Sequence, residues 1–312
     1  MCYYTKIQSM FIFNGYQLAY EKERKLKEKI NFSIPQKSKI VIASLVFKED
    51  FGSCLYANLK NEMALRVGID YKKFYFSLND NFESIKKLIS KLNQDSLITG
   101  IIIQKPSKIC FLKYYCNKEL KFIDWWKALV SCLALKKDVD GLHPETLLAI
   151  KNNTFLTNKI VLPATCRAVL SILEECKKKV KNFDLSCCKI VILGKSDLLG
   201  KPLYFYFLRK HYQVNMIGSL ELKEMVASGQ KLLIYDVVIT ATGRKHLIKA
   251  KWLKKNVVII DVGEPRGDVD PVDIQEKASF LTPVPGGVGP MTVVSLLENS
   301  YFLFQCHSSE NI

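Results

Sequence analysis

Hydrophobic positions recur along the chain in two rhythms, short β-branched runs and longer stretches with helical spacing. KIVIASLVF (39–47) and GIIIQKP (100–106) are near-continuous apolar runs, as expected of strands buried on both faces, and YKKFYFSL (71–78) alternates as a strand does. Between them QLAYEKERKLKEKI (17–30), residues 53–67 and FESIKKLISKLNQ (82–94) carry apolar stripes at helical spacing, with Gly68 as a stop for the second helix. Residues 107–135 are less regular and predict a helix-containing insertion; KKDVDGLHP (136–144) reads as a loop. The second half repeats the alternation. A helix over 165–180 follows Pro163, CKIVILG (188–194) is a strand, and a helix starts near Pro202. QVNMIG is a short strand, and YDVVITATG (235–243) and NVVIIDVG (256–263) are strands ending in glycine. A last helix, 291–304, is strongly apolar on one face.

This alternation predicts an α/β protein with mostly parallel sheets under covering helices. The 312 residues suit two domains. The expected division is a catalytic α/β domain over 1–152, to which the final segment 289–312 returns, and a doubly wound, Rossmann-type domain over 153–288. An active-site cleft is expected between them, since ligands favour domain interfaces. Strands that end in glycine suit a nucleotide-binding sheet, whose ligands sit at the carboxyl ends of strands.

Composition narrows the function classes. Net charge is +16, carried mostly by scattered lysines. Such lysines read as solvated helix faces; no arginine-rich block or nucleic-acid signature accompanies them, so nucleic acid is not the expected partner. The ten cysteines form no Cys-x-x-Cys pair and the four histidines lie far apart, which gives a metal site no support and suits reduced thiols in a cytosolic protein. No apolar run reaches the length of a membrane span, and MCYYTKIQSMFIF lacks the order of a secretory signal.

Two local patterns carry candidate chemistry. VILGKSDLLGKP places Gly194, Lys195, Ser196, Gly200 and Pro202 between a strand and a helix, where free N–H groups and the helix dipole favour a pyrophosphate. The spacing is not G-x-G-x-x-G, and a structural turn is the plain alternative. Thr242 and Gly243, at the end of the YDVVITATG strand, join the same candidate cofactor set. The next strand ends Met216-Ile217-Gly218-Ser219 without the carboxylate that NAD-specific folds place there, so Lys195 and Ser219 are candidates for a 2′-phosphate and NADP is expected over NAD. Glu221, just beyond, is the contrary signal. The other pattern is Tyr56 and Lys60, four residues apart on one helical face. Burial would lower the lysine's pKa and suit it to proton transfer near neutrality; from spacing alone, an exposed lysine is the plainer reading.

GIIIQKP (100–106), KDVDGLHP (137–144), GKSDLLGKP (194–202) and TPVPGGVGPMTVVSLLEN (282–299) occur in the order found in the methylenetetrahydrofolate dehydrogenase/cyclohydrolase family, which the chain resembles from FIFNG (11–15) to its last helix. The resemblance implies oxidation of 5,10-methylenetetrahydrofolate with NADP and hydrolysis of the methenyl product to 10-formyltetrahydrofolate. It implies that Lys60 is the central lysine of the hydrolysis, that Tyr56 stacks on the aminobenzoyl ring, that Gln104 bonds Lys60 and that Asp140 holds the pterin nitrogens. Val284, Pro285, Gly286 and Gly287 would line the place where folate meets nicotinamide. It further implies polyglutamylated folates as substrates, a homodimer formed through the dinucleotide domain and a cytoplasmic enzyme.

The chain departs from the family pattern at several points. Glu62 replaces the lysine two residues after Lys60, Lys105 replaces a leucine, and Pro163-Ala164-Thr165-Cys166-Arg167-Ala168 stands for Pro-Cys-Thr-Pro-x-Gly. Ile217-Gly218-Ser219-Leu220-Glu221 stands for Cys-His-Ser-x-Thr, and the insertion after Lys108 is longer than usual. Glu62 is expected to raise the pKa of Lys60 and slow the hydrolysis. The rival readings are a dehydrogenase with a weak or lost cyclohydrolase, and a non-catalytic basic binding protein on the same fold.

Overall fold

The computed structural model describes residues 10–35, 38–115, 121–229, 232–263 and 265–308. Most of MCYYTKIQSMFIF, and residues 116–120 of the expected insertion, lie outside the described residues. In chain order the elements are β1 (Phe11–Ile12), α1 (Gly15–Ser33), β2 (Val41–Phe47), α2 (Phe51–Val67), β3 (Asp70–Phe76), α3 (Phe82–Gln94), β4 (Gly100–Ile103), α4 (Lys108–Tyr114), α5 (Phe122–Val130) and α6 (Pro144–Lys151). There follow α7 (Ala164–Lys179), β5 (Lys189–Leu193), α8 (Gly200–Arg209), β6 (Gln213–Ile217), α9 (Ser219–Ala227), β7 (Val237–Thr240), β8 (Val257–Asp261), α10 (Pro271–Ile274), β9 (Ala278–Leu281) and α11 (Val288–Ser308).

The chain divides into two units, one of residues 20–164 and 293–312, the other of residues 1–19 and 165–292. Against the division expected at 152/153 and 288/289, residues 153–164 fall in the first unit, where the Ala164 N–H donates to the Asp140 carbonyl at 3.4 Å. The N-terminal residues fall in the second, because β1 pairs with β9.

The first unit holds a three-stranded parallel sheet in the order β3-β2-β4. All seven residues of β2 are buried, the signature of a central parallel strand covered on both faces. Ile40, Ile42, Ile69 and Ile102 pack with Leu26 and Ile30 of α1, Ala64 and Val67 of α2, and Leu296, Leu297 and Leu303 of α11. The same part of α11 fixes a loop: the Asn299 amide, fully buried, donates to the carbonyls of Val139 (3.0 Å) and Leu162 (2.9 Å).

The second unit holds a six-stranded parallel sheet in the order β1-β9-β8-β7-β5-β6. After β5 the chain steps outward to β6 and returns to β7 on the other side of β5. Counted from β5 the order is 2-1-3-4-5, a doubly wound sheet whose switch point lies between β5 and β7, with β1 added at the far edge. Phe11 and Phe13 pack on Phe280 of β9, which gives the FIFNG segment its place. Val238, Ile259 and Leu281 fill the core with Leu222, Ile248 and Leu253.

The strands and long helices lie where hydrophobic spacing puts them, within a few residues, and α8 starts at Gly200 rather than Pro202. β1, β9, α6, α9 and α10 carry no such spacing signal of their own. Leu135–Lys137, where the expected insertion meets the expected loop, is one 3₁₀ turn. Asn299→Ala removes two hydrogen bonds to carbonyls in a buried setting, and should cost about 2–3 kcal/mol; the check is a lower urea midpoint with an unchanged denaturant slope.

Candidate active site

Helix α2 turns Ser53, Ala57, Lys60, Ala64 and Val67 toward the core, a helical stripe that is small or apolar apart from Ser53 and Lys60. Lys60 is 8% exposed, so the plain reading of a solvated surface lysine does not hold. Its Nζ donates to Gln104 Oε1 at 2.9 Å. Gln104 is held in turn, its Nε2 donating to Ser44 Oγ at 3.1 Å and to Tyr71 Oη at 3.3 Å, from β2 and β3. All three strands of the sheet therefore fix the partner of one amine. Burial pushes the Lys60 pKa below its ordinary value, and the Asp140 carboxylate pulls the other way. Tyr56 lies one turn before Lys60 and is half-buried.

The start of α2 is tied to the loop that carries Gln104. Asp50 caps the helix, its Oδ1 accepting from the Ser53 N–H at 2.7 Å and its Oδ2 from the Ser107 N–H at 2.8 Å. Ser53 Oγ donates to the Lys105 carbonyl at 3.0 Å. Burial works to raise the Asp50 pKa, but the bonds from Ser53 and Ser107 outweigh it and hold the carboxylate low. These contacts fix Lys60 and Gln104 relative to one another.

Asp140 follows the buried Asp138, whose Oδ2 accepts from the His143 N–H at 2.7 Å. Gly141 next to it has φ +69°, and a Cβ there would come within 2.7 Å of the Pro163 backbone. Burial raises the Asp140 pKa to about 6, with Lys60 lowering and Asp138 raising it. The carboxylate thus stays mainly ionised at neutral pH, a hydrogen-bond acceptor beside a buried amine. Of the residues expected in the catalytic set, Lys60 and Gln104 bond directly, Asp140 acts on Lys60 through its charge, and Tyr56 is its neighbour on α2.

Glu62 does not act as expected. Two residues on from Lys60 it points about 200° away around the helix, is exposed, and exerts its charge on Arg66; the carboxylate that acts on Lys60 is Asp140. Ser44, Tyr71, Asp50 and Asp138 were not singled out from sequence. Asp50 has a readable signal, an aspartate three residues before Ser53 at a helix start; Tyr71 has none, because its role depends on the pairing of β2 with β3.

In the second unit the switch point is built from the turns after β5 and β7. Gly194 has φ +128°, and a Cβ on Gly200 would meet the Gly194 carbonyl at 1.9 Å, so only glycine lets α8 begin this close to β5. The Gly200 N–H donates to Ser196 Oγ at 3.3 Å, and the N-cap Leu199 makes no side-chain bond. After β7, Asp268 accepts from Thr240 Oγ1 (2.6 Å), Thr242 N–H (2.7 Å) and Arg244 N–H (2.8 Å), fixing the turn that carries Thr242 and Gly243. A Cβ on Gly243 would meet nothing within 4 Å, so its backbone faces open space. The open backbone turn at Thr242 and Gly243 fits the pyrophosphate of a dinucleotide, and at the α8 start the Gly200 and Lys201 N–H groups donate to Ser196. Ser219 opens α9 after β6, and Lys195 pairs with Glu221. Pro285 follows a cis peptide bond, and the Gly286 carbonyl accepts from the Gly15 N–H at 2.9 Å. Among the described residues no helix is long and apolar enough to cross a membrane.

A buried lysine on α2, its pKa lowered by burial, in one unit and a doubly wound sheet with its switch point in the other fit the class of nucleotide-dependent enzymes that also move protons. The tetrahydrofolate dehydrogenase/cyclohydrolase catalytic domain matches residues 13–140 and the NAD(P)-binding domain of the same family matches residues 163–308; the chain belongs to that family. It is 32% identical to the bifunctional protein FolD of Helicobacter pylori over 96% of this chain and 97% of that one. The structure resembles the bifunctional methylenetetrahydrofolate dehydrogenase/cyclohydrolase of Campylobacter jejuni with a TM-score of 0.80 at 26% identity, covering 95% of this chain and 99% of that one. It resembles the 5,10-methylenetetrahydrofolate dehydrogenase of the silkworm Bombyx mori with a TM-score of 0.79 at 27% identity, covering 96% and 99%. It is an enzyme of one-carbon metabolism, a methylenetetrahydrofolate dehydrogenase and methenyltetrahydrofolate cyclohydrolase.

The Asp140 charge favours the ammonium form of Lys60, so Asp140→Asn should lower the Lys60 pKa further. The check is a titration of ¹³C-labelled lysine side chains by NMR, in which the Lys60 transition moves to lower pH and the solvated lysines stay put.

Proposed function

We propose that Lys60, Tyr56, Gln104 and Asp140 carry both the binding and the hydrolysis of the folate, and that NADP is the oxidant. The observation that carries this reading is the buried Lys60 amine, bonded to Gln104 at 2.9 Å and depressed in pKa by burial. Lowering the pKa raises the share of neutral amine at a given pH, which is the direction a general base requires. Water adds to the methenyl carbon as Lys60 takes its proton. Lys60 returns that proton to N5 as the C–N5 bond breaks, and the carbinol O–H gives up the second water proton to solvent as the C=O of the N10-formyl group forms. Gln104 holds the amine in place through both states, accepting a hydrogen bond from either form. Asp140, as a carboxylate, accepts from the amino group and ring N–H of the pterin, and Tyr56 offers its half-exposed ring to the aminobenzoyl group.

NADP, when bound, supplies the hydride acceptor for the first step. Gly194, Ser196, Gly200 and Pro202 would hold its pyrophosphate, Thr242 and Gly243 would pass along it, and Lys195 and Ser219 would face the 2′-phosphate. The backbone of Val284, Pro285, Gly286 and Gly287 would receive the nicotinamide end. What supports NADP is that the end of β6 at Ile217 and the Gly218 after it carry no carboxylate of their own, Glu221 reaching this tip only from α9. The lysine excess suits folates with polyglutamate tails. We further propose a cytoplasmic homodimer formed through the six-stranded unit, whose edge strand β6 is only partly covered.

One absorbance assay with methylenetetrahydrofolate, run with NADP and then NAD, tests the reading. Reduced cofactor should form faster with NADP, and the methenyl intermediate should decay faster than it does without protein. Lys60→Met should slow that decay by about 100-fold or more while reduced cofactor still forms. Decay at the uncatalysed rate in the unaltered chain would leave a dehydrogenase alone, and no reduced cofactor with either nucleotide would favour the binding-protein reading.

A further inference from the structure

Strand β6 ends at Ile217; the next residue, Gly218, caps α9 with no side-chain bond, and the first turn of α9 brings Glu221 back over it. Lys195, directly after Gly194 in the phosphate turn, reaches across and pairs its Nζ with Glu221 Oε1. The pair lies against Gly218: a Cβ there would stand 2.5 Å from Glu221 Oε2, 3.0 Å from Lys195 Cδ and 3.2 Å from Lys195 Cε. Any residue but glycine at this tip would push the two side chains apart. The bond from Lys195, with backbone N–H groups of Glu221 and Gly218, holds the Glu221 carboxylate below its usual range.

The Glu221 carboxylate therefore occupies the donors that an incoming phosphate monoester needs, the Lys195 ammonium and the N–H groups at the start of α9. A 2′-phosphate must displace it or sit beside a like charge. A 2′-hydroxyl meets the reverse situation, because a carboxylate is a hydrogen-bond acceptor for ribose hydroxyls. We infer that Glu221 is a specificity-determining residue, an internal anion that competes with the 2′-phosphate for Lys195 and lets the chain use NAD alongside NADP. This rests on the proposed placement of the adenosine ribose at the β6 tip and adds that the NADP preference is weakened from within.

The test uses two probes that need no turnover, 2′,5′-ADP and 5′-ADP, with dissociation constants measured by calorimetry on the full chain. Lys195 and Glu221 are 41% and 50% exposed, so exchanging them does not open the core. Glu221→Gln keeps the shape and removes the charge. It should tighten 2′,5′-ADP about tenfold, as expected for removing a contacting like charge, and leave 5′-ADP unchanged or weaker. The ratio of kcat/KM for NADP over NAD should rise by a similar factor, carried in KM. Adding Lys195→Met should abolish the gain. A change under twofold in 2′,5′-ADP binding, an equal shift for both probes, or a gain that survives Lys195→Met would each overturn the role of Glu221. If neither probe binds the unaltered chain, the cofactor placement fails with it. If both bind and Glu221→Gln does nothing, only this inference fails.

Discussion

One buried amine sets the terms for the first unit. A lysine facing a core is costly to keep charged, and Lys60 is tolerated because Gln104 accepts its hydrogen bond and Asp140 offsets part of the desolvation. Gln104 can do this only where its own amide is engaged, and Ser44 and Tyr71 engage it from neighbouring strands. The register of β2 against β3 and β4 is thus part of the site. Slipping either strand by one residue would turn its partner group to the opposite face.

The second unit solves a different problem, bringing backbone close to a polyanion. Its solution uses topology: the chain leaves β5 for one side of the sheet and returns on the other, which puts the turns after β5 and β7 at the switch point, where doubly wound sheets bind their ligands. Asp268 then fixes the second turn with three hydrogen bonds from within. Asp261 does the same nearby, accepting from Gly263 and Val269, and burial lifts its pKa to about 6. Asp261 holds backbone N–H groups and Asp268 holds two backbone N–H groups and the Thr240 hydroxyl, so both carboxylates serve to fix the turns.

Much of this was legible in the sequence, and the limits have physical reasons. The long elements and the parallel sheets follow from local periodicity, which needs no knowledge of partners. Lys60 could be singled out only through the family motifs, because helical spacing alone favours a solvated lysine; its burial depends on what α2 packs against. Ser44 and Tyr71 had no signal, since their function is a pairing between strands. α6 was missed although His143 caps it and Pro144 opens it, because eight residues are too few for a period to show. β1 and β9 are short and are strands only because each has an edge to pair with. Glu62 is close to Lys60 in sequence but not in space, because two residues along a helix are separated by about 200°.

The departures from the family pattern fall where they leave the amine untouched. Lys105 follows Gln104 directly, and its ammonium lies over the rings of Phe122 (5.6 Å) and Trp126 (5.3 Å). Both rings come from α5, in the insertion, whose aromatic cluster of Phe111, Tyr115, Phe122 and Trp125 packs onto Phe47 at the end of β2. The lysine and the aromatic insertion therefore meet directly: the insertion supplies π faces, and a cation is what such faces hold well. The backbone of the same residue still accepts from Ser53, so the link between α2 and the Gln104 loop survives the exchange of side chain. Glu62 is accommodated the same way, on the exposed side of α2 beside Arg66. The hydrogen bonds around Lys60 run through Gln104, Ser44 and Tyr71, and the side chains of Lys105 and Glu62 lie outside that set.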